Sequence, residues 1–183
     1  MEDYVRRQIL IGLCGLALLA APGKAAAQSD SGTPQLGVGY SVLHEELNGE
    51  KFWDHGFTGD MTFVFGGSNG ARVGAIGQFT TNRNSVFDDN LWAILGGARV
   101  SFGTRAVEPF VQMLLGTEHC CDPGQYGFAL QPGVGVTGWF SDMFGARGTV
   151  DFRTVRYTDE SAGTSKWYSE PVIGGSLVIK FGR

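Results

Sequence analysis

Leu91-Trp92-Ala93-Ile94-Leu95-Gly96-Gly97-Ala98-Arg99-Val100-Ser101-Phe102 decides the fold class of this chain. Trp92, Ile94, Ala98, Val100 and Phe102 fall on one side of an extended backbone, and Gly97, Arg99 and Ser101 on the other. A period of two is the signature of a strand with one apolar face. About ten such residues is the length a tilted strand needs to cross a bilayer.

Working outward, seven more segments repeat the pattern, at 35–43, 57–65, 71–81, 108–117, 128–139, 145–157 and 170–181. In the second, Phe57, Met61, Phe63 and Phe65 oppose Thr58, Asp60 and Thr62; in the eighth, Ile173, Leu177, Ile179 and Phe181 oppose Gly174, Ser176 and Lys180. The fifth is the least regular, because Phe110, Val111, Met113, Leu114 and Leu115 occupy both faces. Pro132 interrupts the sixth and predicts a bulge or a position off the ladder, since proline has no N–H to give. The connections alternate between short (66–70, 103–107, 141–144) and long, polar ones (44–56, 82–90, 118–127, 158–169). Short turns at one end and long extracellular loops at the other characterise outer-membrane barrels. The predicted fold is all-β, an eight-stranded antiparallel up-and-down transmembrane barrel.

Alternation alone does not separate a membrane barrel from a soluble, lipocalin-like barrel that binds a small apolar ligand, which stands as the alternative. The polar face separates them. A water-facing exterior is rich in Lys, Glu and Asp, whereas here it is Gly, Ser, Thr and Gln with a sparse set of charges: Asp60, Arg72, Arg99, Arg147, Asp151, Arg153 and Lys180. Small residues suit a narrow lumen, and charges of both signs can pair inside it. The expectation is a structural salt-bridge network that plugs the lumen rather than an ion path. The 29 glycines, more than twice the usual share of about 7%, are spread through these strands.

Glu108-Pro109-Phe110-Val111-Gln112, Gly133-Val134-Gly135-Val136 and Ala146-Arg147-Gly148-Thr149-Val150-Asp151-Phe152-Arg153 resemble the later strands of the OmpA/opacity-type outer-membrane β-barrel domain. The resemblance covers most of the chain after its leader. It implies an outer-membrane location, contact with outer-membrane lipid and lipopolysaccharide, and insertion by the barrel-assembly machinery, which reads a final aromatic. Phe181 matches that aromatic, with Gly182 and Arg183 following it. A wall-tethering role is not implied, because no peptidoglycan-binding segment follows the barrel.

Residues 1–27 read as a cleavable signal: Arg6 and Arg7, an apolar run over 9–21, then Pro22-Gly23-Lys24 and Ala25-Ala26-Ala27. The run is too short for a membrane-spanning helix. Arg6-Arg7 is faintly like a twin-arginine signal, but a barrel with an apolar exterior must be exported unfolded, by the general secretory route. The mature chain is then 28–183, with 28–34 as a short periplasmic leader. Removing Arg6, Arg7 and Lys24 with Glu2 and Asp3 leaves 11 basic against 16 acidic residues, a formal charge of −5. That balance excludes nucleic acid as a partner.

No residue set predicts catalysis. His44 and His55 in one loop, and His119-Cys120-Cys121 in another, are residue types that bind zinc or copper, but they lack a ligating spacing. They are expected to form no metal site, and the cysteines to be free or joined to each other. A lipid A-modifying enzyme ranks third among the functions, since no strand carries a His and a Ser in pairing distance. No cofactor is expected, and the protein is expected to be monomeric. Trp53, Trp167 and Tyr168 in acidic loops are the candidate surface-recognition residues, weighed evenly against a plain interfacial aromatic belt. The sequence therefore predicts a non-enzymatic barrel serving envelope integrity or surface recognition.

Overall fold

The computed structural model describes residues 33–47, 50–68, 70–83, 90–104, 106–120, 125–159 and 164–181. The signal reading over 1–27, most of the leader over 28–34, Cys121 and the last two residues lie outside them. Eight strands follow one another: β1 (Pro34–Leu47), β2 (Glu50–Ser68), β3 (Ala71–Arg83), β4 (Asn90–Phe102), β5 (Val107–Cys120), β6 (Gln125–Trp139), β7 (Phe144–Asp159) and β8 (Thr164–Lys180). Each pairs antiparallel with its neighbours, and β8 returns to β1 to close the barrel.

The decisive stretch behaves as its alternation requires. On β4, Leu91, Ala93, Leu95, Arg99 and Ser101 are buried inside, while Ile94 and Ala98 are exposed. The irregular fifth segment resolves by the same parity: Phe110 and Leu114 face inward, Met113 and Leu115 outward. Pro132 keeps its place opposite Met113 of β5. Towards β7 the ladder is open between Leu130–Thr154 and Gly133–Asp151, with the same register on both sides. A missing donor thus costs a gap rather than a shift. The register shift in the barrel lies instead in β2, at Val64/Gly66 against β3.

Three tight connections sit at one end with both strand termini. Gly70 and Gly103 turn there with φ of 82° and 104°, the left-handed region that glycine enters without a Cβ penalty. Ser141 Oγ accepts from Phe144 N at 2.9 Å to hold the β6–β7 turn. Lys180 N donates to Met143 O at 2.8 Å and Phe181 N to Pro34 O at 2.9 Å, which ties the closing strand down at this end.

At the other end the strands run well past the expected segments. The stretch expected as a loop over 44–56 is ladder: the β1–β2 register continues unbroken from Pro34–Phe63 to Leu47–Glu50. Thr158 likewise pairs with Ser165, and Cys120 with Gln125. On β8 every residue from Thr164 to Ser169 is exposed, so apolar alternation ends there while backbone pairing with β7 continues. Alternation therefore reports only the lipid-crossing part of each strand.

Inside and outside are inverted relative to a soluble barrel. Phe57, Phe65 and Leu177 are 69%, 68% and 67% exposed, whereas Arg153, Glu118 and Gln131 are wholly buried. Exposing each such side chain to water forgoes about 1.5–3 kcal/mol, and large apolar residues face outward on all eight strands. This is a lipid-facing exterior and corrects the soluble lipocalin-like alternative.

The depth of two outward residues gives a test. Val134→Arg lies mid-strand on β6 and should cost about 2–4 kcal/mol of folding stability in lipid vesicles, whereas Ile179→Arg, near the short-turn end, should cost about 0–1 kcal/mol. Denaturant titration of both variants against the wild type measures the difference.

Candidate functional site

The lumen and the outer rim hold the chemically capable side chains. In the lower lumen, Arg147 of β7 hydrogen-bonds Asp60 of β2, gives its NH2 group to Gln35 Oε1 at 2.9 Å and its Nε to Thr137 Oγ1 at 3.1 Å. Arg99 of β4 lies 3.6 Å from the same Asp60 oxygen and donates twice to Gln112 Oε1, at 3.1 and 2.7 Å, and once to Thr62 Oγ1, at 3.1 Å. Gln112 in turn donates to Asp151 Oδ1 at 2.7 Å. The Phe110 ring lies 4.2 Å from the Arg99 guanidinium carbon and 5.6 Å from that of Arg147. Two like charges are thus held by one shared carboxylate and one aromatic face.

The glycine content has its explanation here. A Cβ on Gly37 would strike the Asp60 carboxylate, and one on Gly133 the Asp151 carboxylate. Inward glycines are the sockets into which neighbouring strands place their acids.

Higher up, Arg153 reaches three other strands. It donates to Gln131 Oε1 of β6 at 2.7 Å, Glu118 Oε2 of β5 at 2.7 Å and Thr80 Oγ1 of β3 at 2.9 Å. Gln131 passes the network to Gln78 at 2.9 Å, and Tyr157 Oη donates to Glu118 Oε1 at 2.8 Å. Ile76, Leu95, Leu114 and Val155 pack in one inward apolar cluster, and Leu43, Leu91, Cys120 and Val172 in a second, with Tyr157 against both.

Of the seven charges singled out in the sequence, Asp60, Arg99, Arg147, Asp151 and Arg153 lie in these two networks. Arg72 and Lys180 belong to the short-turn end. Arg72 pairs with Glu108 at 3.0 Å, Trp139 Nε1 donates to the same carboxylate at 3.0 Å, and Lys180 Nζ sits 4.2 Å above the Trp139 ring. Sequence reasoning missed Glu108, Glu118, Gln78, Gln131 and Tyr157. Glu118 shares its parity with Phe110, Gln112 and Leu114, and that signal was lost by ending the fifth strand at 117.

At the rim, Trp53, Trp167 and Tyr168 stand on strands rather than in loops. Trp53 on β2 meets His44 of β1 at 4.7 Å, and Trp167 on β8 lies under the Arg156 guanidinium at 5.8 Å. Tyr168 contacts Tyr157 at 5.8 Å. All three sit on the β1–β2 and β7–β8 ribbons, which flank a seam. The β1–β8 ladder stops at Leu43–Val172, one residue short of Pro171, although both strands continue.

The expected loop around His119 and Cys120 is also strand. His119 faces outward, stacked on Trp92 at 5.1 Å and against Tyr126 at 4.7 Å. Cys120 is buried on the opposite face, in the apolar cluster of the upper lumen. His55 stacks on Tyr40, and His44 on Trp53 as above. Alternation sends His119 and Cys120 to opposite sides of the sheet, and among the described residues no group of three His, Cys, Asp or Glu is placed to hold a metal.

No protein-family model and no curated protein matches the chain. Solved structures do. Neisserial surface protein A is 14% identical over 85% of this chain and all of its own, with a TM-score of 0.59. The attachment invasion locus protein Ail of Yersinia pestis is 18% identical, covering 82% and 99%, at 0.55. The N-terminal β-barrel domain of Pseudomonas aeruginosa OprF is 17% identical, covering 84% and 100%, at 0.54. At these identities the likeness establishes the fold, that of the eight-stranded outer-membrane barrels.

Arg153 gives a test of the upper network. Arg153→Met leaves Glu118 buried without its cation and should cost about 3–5 kcal/mol. Adding Glu118→Gln should recover most of that loss. A double-mutant cycle by denaturant titration in vesicles reads the coupling.

Proposed function

We propose that this chain is a monomeric, non-enzymatic outer-membrane barrel whose lumen is closed and whose activity lies at its outer rim, in surface recognition or envelope integrity. Residues 1–27 would export it by the general secretory route, and Phe181 would present it to the assembly machinery. The inverted exterior supports the outer-membrane placement, because apolar side chains on every strand need lipid around them.

The observation that carries the closed lumen is Arg153. One guanidinium, with no exposed surface, bonds to side chains on three other strands across the barrel. Below it, Arg99 and Arg147 converge on Asp60 from β4 and β7. An eight-stranded barrel has room only for such side chains, and water-filled channels belong to much wider barrels. With the interior committed to packing, the distinctive chemistry is displayed on the two ribbons that carry Trp53, Trp167 and Tyr168. Trp53 and Trp167 are 53% and 57% exposed, as aromatic anchors of a recognition surface would be. The outward histidines, each against an aromatic ring, favour this reading over a lipid A-modifying enzyme, whose base would need a serine and an acid beside it.

Two measurements test this. The purified protein in a planar bilayer should pass no regular current, and stable, uniform openings would overturn the closed lumen. A Trp53→Ala/Trp167→Ala variant should keep the heat-dependent gel shift of a folded barrel while cell-surface binding mediated by the protein falls several-fold, on the order expected for losing two aromatic hot spots. Unchanged binding would remove the ribbons from the role.

A further inference from the structure

The outward face of the β7–β8 hairpin changes character along its ladder. Val150 opposite Ile173 is exposed apolar wall, and Phe152 opposite Pro171 is the next outward row. The three rows beyond are different: Thr154 opposite Ser169, Arg156 opposite Trp167, and Thr158 opposite Ser165. Their parity follows from Asp151, Arg153 and Val155 on β7 and from Glu170 and Val172 on β8, all buried inside. Directly opposed side chains on one face have Cβ atoms about 4.5–5.5 Å apart, so these six side chains form one continuous surface.

Arg156 stands at its centre. Nη2 donates to Ser165 Oγ at 3.1 Å, and the guanidinium carbon lies 5.8 Å from the centre of the Trp167 ring. These contacts orient the fork without neutralising it. Among the described residues no carboxylate pairs with Arg156, and its N–H groups other than the one on Ser165 carry no hydrogen bond. Glu170 and Lys166 of β8 have the opposite parity, with Glu170 buried on the lumen face.

Around the cation lie an exposed indole and four hydroxyls. Thr154 Oγ1 and Ser169 Oγ are 3.4 Å apart in the row below it. Phe128 of β6, also exposed, stands opposite Arg156 on its other side. Past the Leu43–Val172 pair, β8 keeps its ladder with β7 but not with β1, which leaves backbone donors and acceptors along its free edge.

This mixture selects a class of ligand. An acyl chain would need the apolar wall to continue, and an added peptide strand would need pockets for alternate side chains. A sugar ring presents an apolar C–H face that an indole can cover and a rim of hydroxyls that Ser and Thr can meet. The unpaired guanidinium calls in addition for an anion, and its planar fork matches a carboxylate. We propose that the outward face of the β7–β8 ribbon, centred on Arg156 and Trp167, binds a carboxylated saccharide. The proposal rests on the reading of the rim as a recognition surface and narrows it to one ribbon and one ligand chemistry.

Isothermal titration of the barrel in lipid nanodiscs tests the site. The probes are trigalacturonate with its methyl ester, sialyllactose with lactose, and acetate. The wild type should bind at least one of the two acidic sugars on the order of tenfold more tightly than its neutral counterpart, the effect of one charge-assisted contact. Arg156→Gln should erase that preference, and Trp167→Ala should weaken acidic and neutral sugars alike. Lys51→Gln, which removes an exposed cation from the β1–β2 ribbon, should leave the preference unchanged. Acetate should not displace the sugar. No preference in either pair, a preference that survives Arg156→Gln, its loss in Lys51→Gln, or displacement by acetate would each overturn the proposal. Cell-surface binding separates the two levels. Binding that falls in the Trp53→Ala/Trp167→Ala variant while the wild type shows no saccharide preference overturns the ligand class alone, whereas unchanged binding in that variant overturns the recognition surface itself.

Discussion

The structure depends on a rule about the backbone: inside lipid, every N–H and C=O must find a partner within the protein. A sheet meets that rule only by closing on itself, and here closure is the β1–β8 ladder from Gln35–Lys180 to Leu43–Val172. Closure of so few strands fixes a narrow interior, and the narrow interior dictates side-chain size. Glycines and threonines recur on the inner face because the wall is sharply curved and the far wall is close. The ladder gap beside Pro132 is tolerable because its neighbour strand keeps register on both sides.

Once lipid surrounds the exterior, the hydrophobic effect no longer chooses which face turns inward in the usual way. Polar groups are driven to the lumen because lipid offers them nothing. There they must satisfy one another, and arginine is suited to the task, with five donors in a rigid fork. Arg147, Arg99 and Arg153 each cross-link strands far apart in sequence. Such pairs add little net energy over an apolar filling, but each one fixes the relative height of the strands that it joins. A strand slipped by one residue would turn Arg153 into the lipid and Phe152 into the lumen.

Strand number, antiparallel order and the membrane-facing pattern were legible in the sequence, because lipid enforces alternation residue by residue on segments such as 91–102. Five of the lumen charges could be identified for the same reason. What was not legible lies beyond the lipid. From Thr164 to Ser169 β8 is exposed on both faces, and over 44–56 polar residues interrupt the apolar alternation, so His44, Trp53 and Trp167 look like loop residues although they sit in continuous ladders. Glu118, wholly buried, was hidden because the fifth strand runs on past 117, and with it the main partner of Arg153. The Tyr40–His55 pair could not be read from sequence at all, since it depends on a β1–β2 register that places residues 15 apart on the same outward face.

Where the β1–β8 ladder stops beside Pro171, the molecule divides into two mechanical regimes. Below that point, each strand is held on both sides, and displacing one means breaking bonds to two neighbours in a medium that offers no replacement. Above it, the two strands at the seam are each held on one side only, β1 by β2 and β8 by β7, and water can serve their open edges. A pull on one ribbon reaches the other only through the sealed ring beneath. The cell surface therefore meets two arms that can be lengthened, shortened or resurfaced separately, at no cost to the seal on which the membrane depends.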